Sequence, residues 1–545
     1  MIGLHIYPSE CVYYESSHST YAVKCRDYSF TLAYHSNPLV QHTYENDQYA
    51  VLIDGWIFNA ESYANQCEFV LNEFKKHADG FVEHINGQYN TAIINKSTGN
   101  FIVANDIFGL RTHFSLHEPS RFMMSSDIQF IRKYISGNSY NTQAIQNRLA
   151  LPRFQQRDTF YSGISFAGGC MLYSSDSHNI ERYSIDKIKS RYSAKEQSAS
   201  EIISTIRETV NKVHRGGKIL LELSGGIDSR FMLENILSTS CEVQTLNWGT
   251  QVSDECTIAR SVANSLNVPF MGVDLNALDY TKNRQSHSRK YGGLDIFVQS
   301  AAEKALEEAK GQFDSDYVIE TGLALDFYLG GSYDGQKNWL NPMPYADPKP
   351  TKGIIIKDKN EYHDYVEQNR IFSTIALRQS LHREYFDDRY SMYDYNIYFL
   401  MKSFVERGVS SYSFYMTLLE ASLTDSRLVQ YHDTMFDLTL PQKYWDVAKK
   451  VQNQKEIFSE ELFRDSGVIN FHNRYYSDFN MWFRADQSWI NLINIFRSKE
   501  HREIYNFIPH AVILELISNH QSGRSSLYGD LINIITIDTM LTLDA

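Results

Sequence analysis

The sequence predicts a mixed α/β and α+β protein, with an antiparallel-sheet N-terminal domain, a parallel-sheet domain after it, and a helical C-terminal part. Three observations predict this. Short runs of β-branched and aromatic residues, bounded by turn formers, fill roughly the first 170 residues. From residue 201 apolar strand-like runs alternate with helical stretches, the pattern of a parallel sheet covered on both faces. Beyond about residue 360 the pattern is mostly helical.

In order, Tyr49–Asp54, Tyr89–Ile94 and Asn100–Ala104 read as N-terminal strands, with a helix over Ala60–Lys76. A polar, Ser- and Lys-rich stretch, Ile185–Ser200, reads as a linker. Domains are therefore expected at 1–184 and 201–545. Glu201–Lys212 reads as an amphipathic helix, and Lys218–Leu223 as a short buried parallel strand. Arg230–Leu237 (helix), Glu242–Asn247 (strand), Asp254–Leu266 (helix), Pro269–Val273 (strand) and Tyr317–Glu320 (strand) continue the alternation.

Bulk properties exclude several classes. The chain has 545 residues and a formal net charge of −13, which argues against a general nucleic-acid binder. The six cysteines form no C-x-x-C pair and read as scattered reduced thiols. His and Cys spacing suggests no zinc, haem or iron–sulfur site. The N-terminus lacks a signal-peptide pattern, and no apolar run reaches the ~20 residues of a membrane span. The expectation is a cytoplasmic protein with no membrane and no nucleic-acid partner.

The sharpest motif is Ser224-Gly225-Gly226-Ile227-Asp228-Ser229, directly after the Lys218–Leu223 strand. A strand delivers the chain to a turn. Two glycines let backbone N–H groups approach a polyphosphate, and the next helix points its N-terminus at the anion. The hydroxyls of Ser224 and Ser229 add donors, and Asp228 makes sense as a ligand for a magnesium ion bridging phosphates. This is not the G-x-x-x-x-G-K-[ST] loop of kinases. The S-G-G-x-D-S form looks like the loop of ATP enzymes that cleave between the α- and β-phosphates and leave an adenylate.

On these residues the sequence resembles the asparagine synthetase family, which also holds β-lactam synthetases and lasso-peptide cyclases. Further motifs follow in order. Thr321-Gly322, Asp326 and Gly330-Gly331 resemble S-G-x-G-A-D-E-L-F-G-G-Y, Glu420–Val429 resembles the segment containing P-F-L-D, and Leu440–Lys443 resembles L-P-x-x-L-K. Lys455–Phe458 resembles K-x-x-L-R. In the N-terminal half, Asp54–Asn59 resembles N-G-E-I-Y-N, Ile85–Ala92 resembles L-N-G-M-F-A, Asn105–Phe114 resembles R-D-x-F-G-x-K-P-L-Y, and Ser125–Ile128 resembles S-S-D-I. The resemblance implies an Ntn-hydrolase-like, class II glutamine amidotransferase-like N-terminal domain. It implies an ATP-pyrophosphatase (adenine nucleotide alpha hydrolase-like) domain after it.

The resemblance also implies roles. ATP would contact Leu223, Ser224, Gly225, Gly226, Asp228, Ser229, Asn247 and Gly322. Asp228 and Asp326 would hold Mg2+, and Lys455 would stabilise charge on the α-phosphate. A carboxylate, on a small molecule or peptide, would be adenylated and then captured by an amine or ammonia. A homodimer is one option.

Three departures qualify this. The family's glutaminase uses an N-terminal cysteine, where this sequence has Ile2, and its N-G-E motif reads Asp54-Gly55-Trp56, so no glutamine hydrolysis is expected. The family glutamate that helps deprotonate the amine is Leu323, with Glu320, Tyr333 or Glu420 as conceivable substitutes. Arg230 stands where many family loops have Ser, and could reach a phosphate or cover the helix surface. The alternatives are an ammonia-using divergent asparagine synthetase, against which Leu323 counts, and a non-catalytic ATP-binding or scaffold protein. A sulfur transferase or nucleotide-modifying enzyme is disfavoured by the lack of paired catalytic cysteines.

Overall fold

The computed structural model describes residues 3–11, 13, 19–34, 39–119, 121–135, 140–150, 157–192, 197–293, 296–323, 325, 365–408, 412–440, 442–469, 471, 474–498 and 500–542. The fold is mixed α/β, with antiparallel sheets in the N-terminal half and a parallel sheet with helices after it.

Two six-stranded antiparallel sheets build the N-terminal half. The first orders its strands Ile164–Phe166, Phe114–Glu118, Arg121–Ser125, Gly3–Pro8, Tyr28–Tyr34, Ser19–Cys25. The second runs Asn179–Arg182, Met171–Ser174, Phe101–Asn105, Gly87–Asn95, Tyr49–Ile57, Thr43–Glu45. Alternate residues of both sheets meet in one core: Leu4, Ile6, Phe30 and Leu32 against Leu52, Ile94 and Val103. The opposite set on the second sheet, Val51, Ile53 and Ile93, packs on Val70 and Leu71 of the helix Gln66–His77. The expected linker differs. Its first residues form the short helix Ile185–Lys189, because Ser184 caps it by accepting from the Asp186 amide and Ile188 finds a buried site.

The second half centres on five parallel strands in the order Phe270–Asp274, Glu242–Gly249, Lys218–Glu222, Tyr317–Thr321, Asp387–Asp388. The central strand alternates between two cores. Ile219 and Leu221 face the helices Ala199–His214 and Ile227–Leu237, and Leu220 faces the helix Ile296–Lys310. Strand order reverses on either side of Lys218–Glu222. That switch point opens a crevice at the carboxyl ends of the strands, where ligands of open α/β sheets bind. Among the described residues no helix is long and apolar enough to cross a membrane.

The two halves share polar contacts as well as apolar ones. Asn86 Nδ2 donates to Asp394 at 2.9 Å and its Oδ1 accepts from the Tyr395 amide at 3.0 Å. Gln88 Nε2 donates to the Asp388 carbonyl at 2.7 Å and its Oε1 accepts from the Tyr390 amide at 3.0 Å. The Asn86-Gly87-Gln88 motif thus clamps the 388–395 segment. Deeper still, Arg111 pairs with Asp388 at 2.8 Å and lies 3.8 Å from Asp54, and Arg383 reaches Asp54 at 3.5 Å. All four side chains are almost fully buried.

Candidate active site

A cavity of about 440 Å³ occupies the switch point. Its wall includes Leu223, Ser224, Asp228, Ser229, Asn247 and Gly322, six of the residues expected from sequence to surround ATP. The loop is held by its own hydroxyls. The Ser224 amide donates to Ser229 Oγ at 3.0 Å, and the Gly226 amide donates to Ser224 Oγ at 3.2 Å. Asn247 Nδ2 donates to the Leu223 carbonyl at 2.8 Å, tying the neighbouring strand to the start of the loop. Gly226 is the N-cap of the helix Ile227–Leu237 and, lacking a side chain, makes no side-chain cap. The first-turn amides of that helix are therefore available to an anion.

The glycines act differently from the expectation. Gly225 and Gly226 do not line the cavity. A Cβ on Gly225 would lie 2.8 Å from the Glu255 carbonyl oxygen, so its bareness serves packing against the start of the helix Asp254–Ser265. Gly322 is the tighter case. A Cβ there would lie 2.6 Å from the Ser229 amide nitrogen and 2.7 Å from the Asp228 carbonyl carbon. The turn after Tyr317–Thr321 thus closes directly on the loop.

Asp228 lines the cavity and accepts a hydrogen bond from the Tyr415 hydroxyl. Glu222 and Glu255 share the same wall. The Asp228 carboxylate is the oxygen donor type that a hard divalent cation such as magnesium takes, so the loop fits one. Asp326, the other expected ligand, lies outside the described residues, as do Gly330, Gly331 and Tyr333.

Lys455 is not brought into the cavity. It stands on the exposed face of the helix Trp445–Ser466 and pairs with Asp254 at 3.3 Å. Asp254 itself opens its helix, where a carboxylate suits the macrodipole. Lys443 is exposed and lies over the Tyr444 ring. Arg230 neither reaches the cavity nor covers a surface. Fully buried, it donates to the carbonyls of Ser426 and Val429 at 3.0 Å and Gln430 at 2.7 Å. One helical turn on, the Glu234 carboxylate accepts from the Thr424 amide and hydroxyl and from the Ser426 hydroxyl. The motif around Asp425 is thus anchored by these two helix side chains.

Of the conceivable substitutes for the missing glutamate, Tyr333 lies outside the described residues and the other two are placed away from the cavity. Glu320 is buried and accepts from the Ser391 amide at 2.8 Å and hydroxyl at 2.7 Å, from its neighbour Thr321, and contacts His214 at 3.1 Å. It does not line the cavity, nor does the exposed Glu420. Leu323 does, 41% exposed, and offers only hydrocarbon.

Sequence reasoning missed Glu222, Arg378, Gln379 and His382, all on the wall, whereas Trp248, also on the wall, ends the strand expected from the resemblance to lie near the adenine. His382 Nε2 lies 3.1 Å from Glu222 Oε1, and its Nδ1 lies 3.1 Å from the buried Tyr390 hydroxyl. Burial opposes charge on both partners, yet each outweighs it for the other: Glu222 sits below the usual carboxylate range and His382 above the usual imidazole range. The Trp248 side chain also bonds Glu222, favouring its anionic form. Burial pushes the Glu255 carboxyl up and lowers the Arg378 guanidinium. The one available signal was Glu222 itself, a lone charge ending an apolar strand run.

Comparison with known proteins adds one family. Residues 30–133 match the model of a glutamine amidotransferase domain. A search of the curated proteins finds no match. Among solved structures, the chain is similar to the glutamine-dependent NAD+ synthetase from Acinetobacter baumannii in complex with ADP. The identity is 14% and the TM-score 0.21, with 48% of this chain and 66% of that one covered. The chain thus spans just under two thirds of that structure's length.

Proposed function

We propose that this chain is an ATP-dependent carbon–nitrogen ligase of the asparagine synthetase type. It adenylates a carboxylate and passes the acyl group to an amine or ammonia. The observation that carries the reading is the Ser224–Ser229 loop at the switch point of the parallel sheet, closed by Gly322, in a chain whose residues 30–133 match a glutamine amidotransferase domain. On this reading residues 1–184 form an Ntn-type domain and 201–545 an ATP-pyrophosphatase domain. The cavity's position at the strand ends suits a nucleotide.

The substrate carboxylate attacks the α-phosphorus, forming the acyl-adenylate and pyrophosphate. The uncapped helix after the loop favours the phosphates. Asp228, with Asp326, would hold magnesium, whose charge would screen the phosphate oxygens. The Ser224 and Ser229 hydroxyls fix the loop before ATP arrives, so little reorganisation accompanies binding. We read the N-terminal half as having no glutaminase activity. In support, Asp54, at the position of the family's N-G-E asparagine, is buried and committed to Arg111 and Arg383.

The test is ATP–pyrophosphate exchange with magnesium across a panel of carboxylates, beside Asp228→Ala. Exchange that depends on one carboxylate and vanishes in the variant is expected. Absence of exchange across the panel, with no magnesium-dependent ATP binding, refutes the ligase and leaves a scaffold.

A further inference from the structure

A nitrogen that attacks an acyl-adenylate must shed a proton, and Leu323 cannot take it. Among the described residues, the carboxylate and imidazole groups on the cavity wall are Glu222, Asp228, Glu255 and His382. Asp228 is committed to Tyr415. Glu255 accepts from the Tyr476 amide at 3.3 Å. Of these, Glu222 and His382 remain, both on the wall and in mutual contact at 3.1 Å, with Glu222 21% and His382 6% exposed. Tyr390 holds the far imidazole nitrogen.

We propose that Glu222 and His382 act together as the proton acceptor for the nitrogen nucleophile. This deepens the ligase reading and rests on it. In the step, the amine N–H bond breaks and its proton passes to the pair, held between Glu222 Oε1 and His382 Nε2. The nitrogen's electron pair forms the C–N bond. The bond from the acyl carbon to the phosphate oxygen breaks, and AMP leaves with those electrons. Tyr390 faces Nδ1, so Nε2 is the imidazole atom that meets Glu222 and shares the proton with it.

The surroundings support the assignment. The charged groups acting on His382 are Glu222, Asp388 and Arg383, and the two carboxylates outweigh the guanidinium and burial, making the imidazole more basic than usual. An imidazole made more basic by its neighbours is suited to accepting a proton.

The experiment uses the full chain, the carboxylate that exchange identifies from a panel of amino acids and uronic acids, and two nitrogen probes. Hydroxylamine, neutral and reactive without assistance, traps the acyl-adenylate as a hydroxamate. Ammonium chloride requires a base. His382→Gln and Glu222→Gln are expected to keep exchange and hydroxamate formation within about threefold of the parent chain. Amide formation from ammonium chloride should fall by about 10²–10⁴-fold. Loss of all three activities together, or retention of ammonium-dependent amide formation, overturns the proposal and leaves the ligase reading standing. A parent chain without exchange removes the ligase reading, and the proposal with it. If both variants fail to fold, the parent chain decides. The ratio of ammonium-dependent amide to hydroxamate should fall with decreasing pH more steeply than free-ammonia concentration requires; a ratio that tracks ammonia alone overturns the proposal.

Discussion

Replacing Gly322 by alanine should displace the Ser224–Ser229 loop through backbone contacts alone. The added methyl would lie 2.6 Å from the Ser229 amide nitrogen, 2.7 Å from the Asp228 carbonyl carbon and 2.8 Å from Ser229 Cα. All three are backbone atoms, so no flexible side chain can swing aside. Ordinary contact begins at 3.4 Å, and the two segments must part by roughly 0.8 Å. Overpacking of this kind costs about 1–3 kcal/mol. The displaced loop should cost more in function than in stability, since a misplacement near 1 Å at a reacting site is worth about 10²-fold in rate. Urea titration reads the first effect, and exchange with MgATP reads the second. Gly80→Ala is the control, because a Cβ there meets nothing within 4 Å. It should leave both readouts unchanged within about 0.5 kcal/mol. A Gly322→Ala chain with parental stability and exchange would refute the packing of this turn against the loop.

Further perturbations probe the buried polar groups. Arg111→Met strands Asp54 and Asp388 in the interior and should cost about 3–5 kcal/mol in urea unfolding; adding Asp388→Asn should recover part of that loss, and additive losses would count against the pairing. Gln379→Met should raise stability by about 1–3 kcal/mol at unchanged m-value, because among the described residues neither buried amide atom of Gln379 has a hydrogen-bond partner; a lower midpoint would refute this. His42 is held neutral, its pKa lowered to about 3 chiefly by burial, with Arg111 adding to the effect. The unfolded chain therefore binds the extra proton first, and stability falls as pH drops from about 6.5 toward 3, by up to about 1.4 kcal/mol per pH unit. His42→Gln should flatten that slope in urea titrations, and an unchanged slope would assign the acid sensitivity to other groups.

Much of the fold was legible because it is written locally. The alternation of Lys218–Leu223, Arg230–Leu237 and Glu242–Asn247 marks strand, helix and strand within thirty residues, and the observed bounds differ by a residue or a few. The loop was legible for the same reason, since six contiguous residues carry it. What stayed hidden depends on distant pairing. His382 meets Glu222 across 160 positions, and no spacing marks one histidine among eighteen. Arg230 misled because a guanidinium beside a phosphate loop suggests an anion, whereas its partners are three carbonyls almost 200 residues away. Lys455 has a motif's local surroundings, but the helix that bears it turns that side chain to Asp254 and solvent.

The clamp of Gln88 on the Asp388 carbonyl has a consequence for how the chain is made. The two groups are 300 residues apart, so ribosomal synthesis at about 5–20 residues per second separates their appearance by roughly 15–60 s. Sheets of the first half have time to form before the 388–395 segment emerges. That segment then docks on a finished surface, and the entropy of closing so long a loop grows only logarithmically with its length. The N-terminal half thus serves as a template on which the His382 side of the cavity is shaped, a duty independent of any chemistry that half performs.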